Sequence, residues 1–326
     1  MTISEIAKLA GVSSTAVSRY LNDGSLSQEK RQRIEKVIRE TNYRPSEYAR
    51  TMRTKKSNRI GVLVPQIDSE AVPKILSGIS ERMDQKNYHV LLMNSNLSLE
   101  KEIGILETFE QSQVDGLIFV ASILTKRHEV ALAHMGVPVV ILGQKSDRYP
   151  CIYHDDEGAA CAMMTELLKS GCRHPAYIGV DRRDKAAGQS RYQGVCRALE
   201  TYGLHMDEIA YREATFSVQA GYQAMEQILA EEKRPDGVLC ATDMIAAGVL
   251  SCLSERKIAV PEKMKVAGMG HGAIADLLCP RLTTVHYHYH TSGREAADLL
   301  LDLMRKKKPR QEARMLEYEI IRQKTT

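Results

Sequence analysis

The chain has 326 residues, 43% of them hydrophobic and 26% charged, which is enough apolar material for more than one buried core and too much for a disordered chain. It has no run of about 18 apolar residues, so no membrane span is expected. The net charge of +4 is unevenly placed: residues 1–56 hold 12 lysines and arginines against 6 acids, net +6, which leaves −2 on residues 57–326. A polyanion such as duplex DNA is therefore attracted to one end only, through phosphate neutralisation and counterion release.

In chain order, Thr2-Ile3-Ser4-Glu5 has capping-box spacing ahead of the apolar positions Ile6, Ala7, Leu9 and Ala10, and Gly11 breaks the helix. Ser13 caps a second short helix, Ser14 to Leu21, and Asn22-Asp23-Gly24-Ser25 is turn chemistry. Ser27 caps a third helix, in which Ile34, Val37 and Ile38 repeat at helical spacing up to about Asn42. Two short helices joined by a glycine turn and supported by a third describe a helix-turn-helix head. Its second helix offers Ser14, Thr15, Ala16, Ser18, Arg19 and Asn22, small polar residues and one arginine suited to base edges and phosphates. A proline stop at Pro45 and a Ser46 cap then predict about two helical turns, too short to be stable alone in water.

Ile3 to Ser13, Ala16 to Asn22 and Tyr43-Arg44-Pro45 with Ala49-Arg50 resemble the LacI/GalR family of bacterial transcription regulators, and the likeness continues less densely through nearly the whole chain. The resemblance implies a DNA-binding head at 1–57 with a hinge helix at 46–53, where Ala49, Arg50 and Met52 enter the minor groove of a palindromic operator as a homodimer. Met52 stands where the family usually has leucine.

From Asn58 onward, short apolar runs alternate with amphipathic stretches: 60–64, 90–93, 116–120, 137–142, 176–180, 237–241 and 264–268, with helical patterns at 72–86 and 99–112. Runs of this kind indicate buried parallel strands of an α/β body. Its length favours two lobes. The resemblance makes the body periplasmic-binding-protein-like, an effector-binding and dimerisation region at 58–326 with lobes at about 58–154 plus 290–317 and at 155–285. A final apolar strand is expected from Met315 to Ile321, and no leucine heptad follows it, so a dimer is expected rather than a tetramer.

Carried over residue by residue, the family's effector pocket falls on Asp68, Gln144, Lys185, Arg191, Phe216, Thr242 and Asp243. Arg191 matches the arginine that grips a polar ligand, and Phe216 the aromatic that stacks on its ring. Many relatives have an aspartate near Gly270 or His271; this chain has none, which speaks against galactoside-type or purine-type binding. A narrower likeness to trehalose-operon repressors lies in His154 to Ala159, Leu239 to Asp243 and Ala49 to Arg53, which makes trehalose 6-phosphate or trehalose the leading effector. Other sugars, sugar phosphates or a non-sugar metabolite such as a nucleobase remain alternatives.

Rival classes are weaker. Gly268-x-Gly270-x-Gly272 is not G-x-G-x-x-G, and no acid follows at dinucleotide spacing. His286, His288 and His290 would share one face of a strand, but no fourth zinc ligand is readable. A secreted transport protein fails for want of a signal peptide. Seven cysteines without C-x-x-C fit a reducing cytoplasm. No cofactor, metal or catalytic group is expected.

Overall fold

The computed structural model describes residues 1–43, 56–305 and 312–326, and its contacts divide the chain into two compact units, Met1–Asn58 and Arg59–Thr326. The expected hinge helix with Ala49, Arg50 and Met52, and the basic run Lys306 to Lys308, lie outside the described residues.

The head is three helices: α1 (Ile3–Ala10), α2 (Ser14–Leu21) and α3 (Gln28–Thr41). The capping box forms, with Glu5 N donating to Thr2 Oγ1 at 3.3 Å and Thr2 N to Glu5 Oε2 at 2.7 Å. Gly11 then turns left-handed at φ 62°, a conformation that favours glycine, and the flexible Arg33 guanidinium lies against it. Ser13 caps α2 through Ala16 N. Ser27 sits at the N-cap position of α3 without a side-chain cap hydrogen bond. Ile6, Ala7, Ala10, Ala16, Val17, Ile34 and Tyr43 form the core.

The body holds two parallel sheets. The first has the order β2-β1-β3-β4-β5-β11, with β1 (Arg59–Val64), β2 (His89–Asn94), β3 (Gly116–Val120), β4 (Val139–Leu142), β5 (Cys151–His154) and β11 (Ala313–Leu316). Strand alternation divides its two buried faces: Ile60, Val62, Val64, Ile118 and Val140 pack with α4 (Val72–Asp84) and α12 (Tyr289–Arg305). Leu63, Leu117, Phe119 and Ile141 face α5 (Leu99–Gln111) and α6 (Lys126–His134).

The second sheet has the order β7-β6-β8-β9, with β6 (Pro175–Gly179), β7 (Ala210–Glu213), β8 (Gly237–Cys240) and β9 (Lys265–Ala267). It is wrapped by α7 (Asp156–Lys169), α8 (Arg191–Thr201), α9 (Val218–Leu229) and α10 (Asp243–Glu255). A short α11 (Ala273–Leu277) follows, and β10 (Thr284–Tyr287) pairs antiparallel with β12 (Tyr318–Ile321). Isolated bridges Ala267–Thr283 and Gly270–His286 bring β10 alongside the end of β9.

The chain passes between the lobe of the six-stranded sheet and the rest of the body three times, at His154–Asp156, at Tyr287–Tyr289 and at Leu316–Tyr318. The continuous strand expected over 315–321 is therefore two strands in different sheets. Glu317 separates a segment paired with β5 from one paired with β10. His286, His288 and His290 do not share a strand face either: β10 ends at Tyr287 and α12 begins at Tyr289.

Helices α4 and α12 approach so closely that a Cβ on Gly293 would lie 2.1 Å from the Ile75 carbonyl oxygen, and one on Gly78 the same distance from that of His290. Backbone cannot give way as a flexible side chain does. Gly293→Ala is therefore expected to destabilise the chain by about 1–3 kcal/mol, whereas Gly104→Ala, with nothing within 4 Å of the added methyl, should stabilise it by up to about 1 kcal/mol. Urea denaturation of the two variants checks the contrast.

Candidate functional site

On the head, Ser14, Thr15, Arg19 and Asn22 are exposed along α2, and Ser18 is half-buried. Asn22 Nδ2 donates to Ser18 O at 2.6 Å, closing the C-terminal end of the helix. Ala16 departs from the expectation: it is 6% exposed and packs in the three-helix core, because position 16 falls on the inward stripe with Val17. Ser14, Thr15, Ser18, Arg19 and Asn22 thus form a polar face with one cation.

In the body, a cavity of about 410 Å³ opens where several strands of the two sheets end. The loop after β4 supplies Gly143, Gln144 and Lys145, the β5–α7 crossing supplies His154, Asp155 and Asp156, and the segment after β6 supplies Lys185, Gln189 and Ser190. That location follows from the architecture, since ligands of open parallel sheets lie beyond the carboxyl ends of strands. Segment 185–190 is a π-helical turn whose start is capped by Asp184, which accepts from Ala186 N and Ala187 N, both at 2.9 Å. Burial outweighs these hydrogen bonds and pushes the Asp184 carboxyl up to about 6.

Gln144 is 2% exposed, and neither its Nε2 nor its Oε1 has a partner among the described residues. Such a group loses its water hydrogen bonds without replacement, at roughly 1–3 kcal/mol. His154 Nε2 is likewise buried without a partner. The carboxylates nearby are engaged: Asp155 accepts from Gly158 N at 2.8 Å, Asp156 binds Arg191 and Glu157 binds Arg197 at 2.6 Å. Lys145 and Lys185 are exposed and carry no ion-pair partner among the described residues.

Of the seven expected effector contacts, the cavity brings together Gln144 and Lys185. Arg191 is not directed at it. Its Nε donates to Asp156 Oδ1 at 2.7 Å, one terminal nitrogen lies 2.7 Å from the same oxygen, and the other donates to the Ala241 carbonyl. The guanidinium also lies 5.1 Å from the Tyr287 ring centroid. Burial alone would lower its pKa, but Tyr287, Asp156 and Tyr289 outweigh that and hold the group firmly protonated.

Asp243 is also internal, accepting from Thr284 Oγ1 at 2.5 Å and Gly272 N at 2.8 Å, with burial pushing its carboxyl up despite those bonds. It organises the loop Gly268–Gly272, and a Cβ on Gly268 would meet its Oδ1 at 2.4 Å, which is the role of the glycines there. The Thr242 hydroxyl caps α10 through Ile245 N. Phe216 packs half-buried against the second sheet's core, and Asp68 is exposed in the turn after β1; none of these lines the cavity. Sequence reasoning missed Lys145, Gln189 and Ser190. Their signal was position alone, on loops that follow β4 and β6.

Residues 2–46 match the family described as bacterial regulatory proteins, lacI family, and residues 164–326 match a periplasmic binding protein-like domain. The sucrose operon repressor of Staphylococcus xylosus is 35% identical over 302 residues, covering 91% of this chain and 92% of that one. Catabolite control protein A of Priestia megaterium is 28% identical over 309 residues, covering 94% and 93%. Among solved structures, the lac repressor dimer bound to operator and the anti-inducer ONPF aligns with a TM-score of 0.88 at 25% identity, covering 100% of this chain and 98% of that one. The chain belongs to the lacI family of bacterial regulatory proteins and is a DNA-binding transcriptional regulator. No helix among the described residues is long and apolar enough to cross a membrane, and no group of three or more histidines, cysteines or acids among them is placed to hold a metal.

Two outcomes follow from the buried groups. Arg191→Ala would strand the Asp156 carboxylate, so it should cost about 3–5 kcal/mol of stability in denaturant unfolding. Burial, outweighing Asp156, holds the His154 imidazole down at about 4. A histidine depressed in the folded state stabilises the fold above its ordinary value near 6.5 and loses that contribution as pH falls. Between about pH 7 and pH 5 the loss is about 2 kcal/mol. His154→Phe should flatten this part of the pH–stability curve, as read by urea melts at both pH values.

Proposed function

We propose that the protein is a cytoplasmic, homodimeric repressor of a carbohydrate operon whose operator affinity is set by a sugar-type effector held in the Gln144 cavity. The observation that carries this reading is the buried, unpartnered Gln144 amide beside a cavity of about 410 Å³. An amide presents an acceptor and a pair of donors, a pattern met by vicinal hydroxyls. Asp155, Asp156 and Glu157 are engaged elsewhere and Asp147 also lines the cavity, but Lys145 and Lys185 carry no ion-pair partner among the described residues, which favours a phosphorylated sugar such as trehalose 6-phosphate over a neutral one. A planar nucleobase is the alternative. Phe216, the ring expected to stack on it, does not line the cavity, although Tyr153 does.

The relatives support the same class, being a sucrose operon repressor, a catabolite control protein and a lac repressor dimer bound to operator. Two heads on a dimer suit a palindromic operator. Ser14, Thr15, Ser18, Arg19 and Asn22 would read its major groove, with Ala49, Arg50 and Met52 in the minor groove at its centre.

Isothermal titration of the full chain with trehalose 6-phosphate, trehalose, sucrose and hypoxanthine tests the effector. Gln144→Leu should weaken sugar binding about tenfold or more. Lys185→Ala should weaken the phosphorylated sugar more than the neutral one, with operator binding unchanged in a gel shift against the DNA upstream of the protein's own gene. Heat from hypoxanthine and none from any sugar would overturn the effector class. Operator affinity that does not fall with rising salt would overturn the role of the cationic head.

A further inference from the structure

The second region where the two lobes meet lies around the turn His271–Ala273, away from the residues that line the Gln144 cavity. Lys74 Nζ, on α4, donates to the His271 carbonyl at 2.8 Å, and Glu70 Oε2 accepts from Ala273 N at 3.2 Å. Two side chains of the first lobe thus grip three residues of the second. The gripped turn is itself held by a pair of imidazoles: His271 Nδ1 lies 3.1 Å from His286 Nδ1 on β10. Rings of His286 and His288 meet edge-on with centroids 5.0 Å apart.

Every element packed around this pair contributes a charge or a polar group. Lys74 and Glu70 come from α4 and the loop before it, Asp276 from α11 at 3.4 Å from His271 Nε2, and Glu319 from β12 at 3.6 Å from His288 Nε2. Asp243 of α10 binds the adjacent Gly272 N, and Thr284 Oγ1 accepts from His271 N at 3.4 Å.

An Nδ1···Nδ1 contact of this length is a hydrogen bond that requires one nitrogen to donate and the other to accept. One extra proton is accommodated: an imidazolium at His271, faced by Asp276, still donates to a neutral His286. A second proton, on His286, leaves two N–H groups pointing at each other. It also adds positive charge beside the Lys74 ammonium. We infer that His271 and His286 form a proton-operated latch inside the second lobe that holds the turn gripped by Lys74 and Glu70, closed while His286 is neutral and released when both imidazoles are charged. Burial first, then His271 and His288, depress the His286 pKa below its ordinary value. The closed state therefore persists through the ordinary histidine range and is lost only as pH falls through the depressed His286 pKa. This does not depend on the identity of any effector, because none of these groups lines the Gln144 cavity.

Amide hydrogen–deuterium exchange of the full chain reads the latch at the Gly272 and Ala273 amides. After correction for intrinsic chemistry, their protection should fall about tenfold or more between about pH 7.5 and pH 5.5 in the unaltered protein. In His286→Gln the amide oxygen accepts from His271 in either charge state, so protection should hold at both pH values. His271→Gln gives a second, reciprocal variant with the same expected outcome. Unchanged protection in the unaltered protein, or an equal acid loss in both glutamine variants, would overturn the latch.

Discussion

The body depends on one buried ion pair. Arg191 and Asp156 are both nearly excluded from solvent, and removing two charges from water is compensated only when every donor and lone pair is met. Here the guanidinium reaches the first turn of α7 and the end of β8, and faces the Tyr287 ring where the chain leaves β10. Three stretches distant in sequence are tied at one point. They are the stretches at which the chain passes between lobes or ends a central strand. Around that point His154, Tyr287 and Tyr289 form an aromatic collar, with centroids 5.1–5.7 Å apart. A packed collar of this kind has few alternative arrangements.

Buried polar groups divide sharply between those that shape the scaffold and those left open. Glu102, His128 and Ser95 are fully buried yet satisfied: His128 Nε2 lies 2.9 Å from Glu102, Ser95 Oγ donates to Glu102 at 3.1 Å, and Thr125 N donates to His128 Nδ1 at 3.2 Å. That chain of bonds pins the loops after β2 and β3. Gln144 follows the next strand and has nothing equivalent. Natural interiors rarely leave such an amide unmet. The contrast between neighbouring loops of one sheet is what the proposed effector position rests on.

The parts of this architecture that periodicity governs were legible in the sequence. The capping box at Thr2–Glu5 and the glycine turn at Gly11 are local chemistry, and the continuous apolar runs of β1, β3, β6 and β8 require burial on both faces. Of the edge strands, β2 and β9 were legible as apolar runs, but β7 and most of β11 were not. In β7 the residues Ala210 to Glu213 carry two charges, and β11 alternates exposed and half-buried positions, because an edge has only one neighbour to satisfy. The break at Glu317 was invisible because both halves of the run are apolar and only tertiary pairing assigns them to different sheets. Arg191 and Asp243 were recognised as important residues, but whether an ionic side chain faces a cavity or an internal partner is decided by Asp156, Thr284 and Gly272, distant in sequence. Ala16 failed for a simpler reason. A small side chain beside Val17 is as well suited to a helix crossing as to a DNA groove.

A ligand shifts a conformational equilibrium only by the difference in its affinity for the two states. The cavity has Gln144 and Lys145 on one lobe and Lys185 and Gln189 on the other. A molecule touching only the first pair would bind open and closed arrangements equally and change nothing at a distance. A molecule long enough to reach both pairs gains contacts solely when the lobes approach, so under the proposed function a disaccharide-sized effector is a stronger signal than a single small sugar ring of equal intrinsic affinity. The same reasoning sets the direction of coupling: DNA that favours the closed arrangement must tighten effector binding by the factor through which the effector tightens DNA binding, and DNA that favours the open one must weaken it equally.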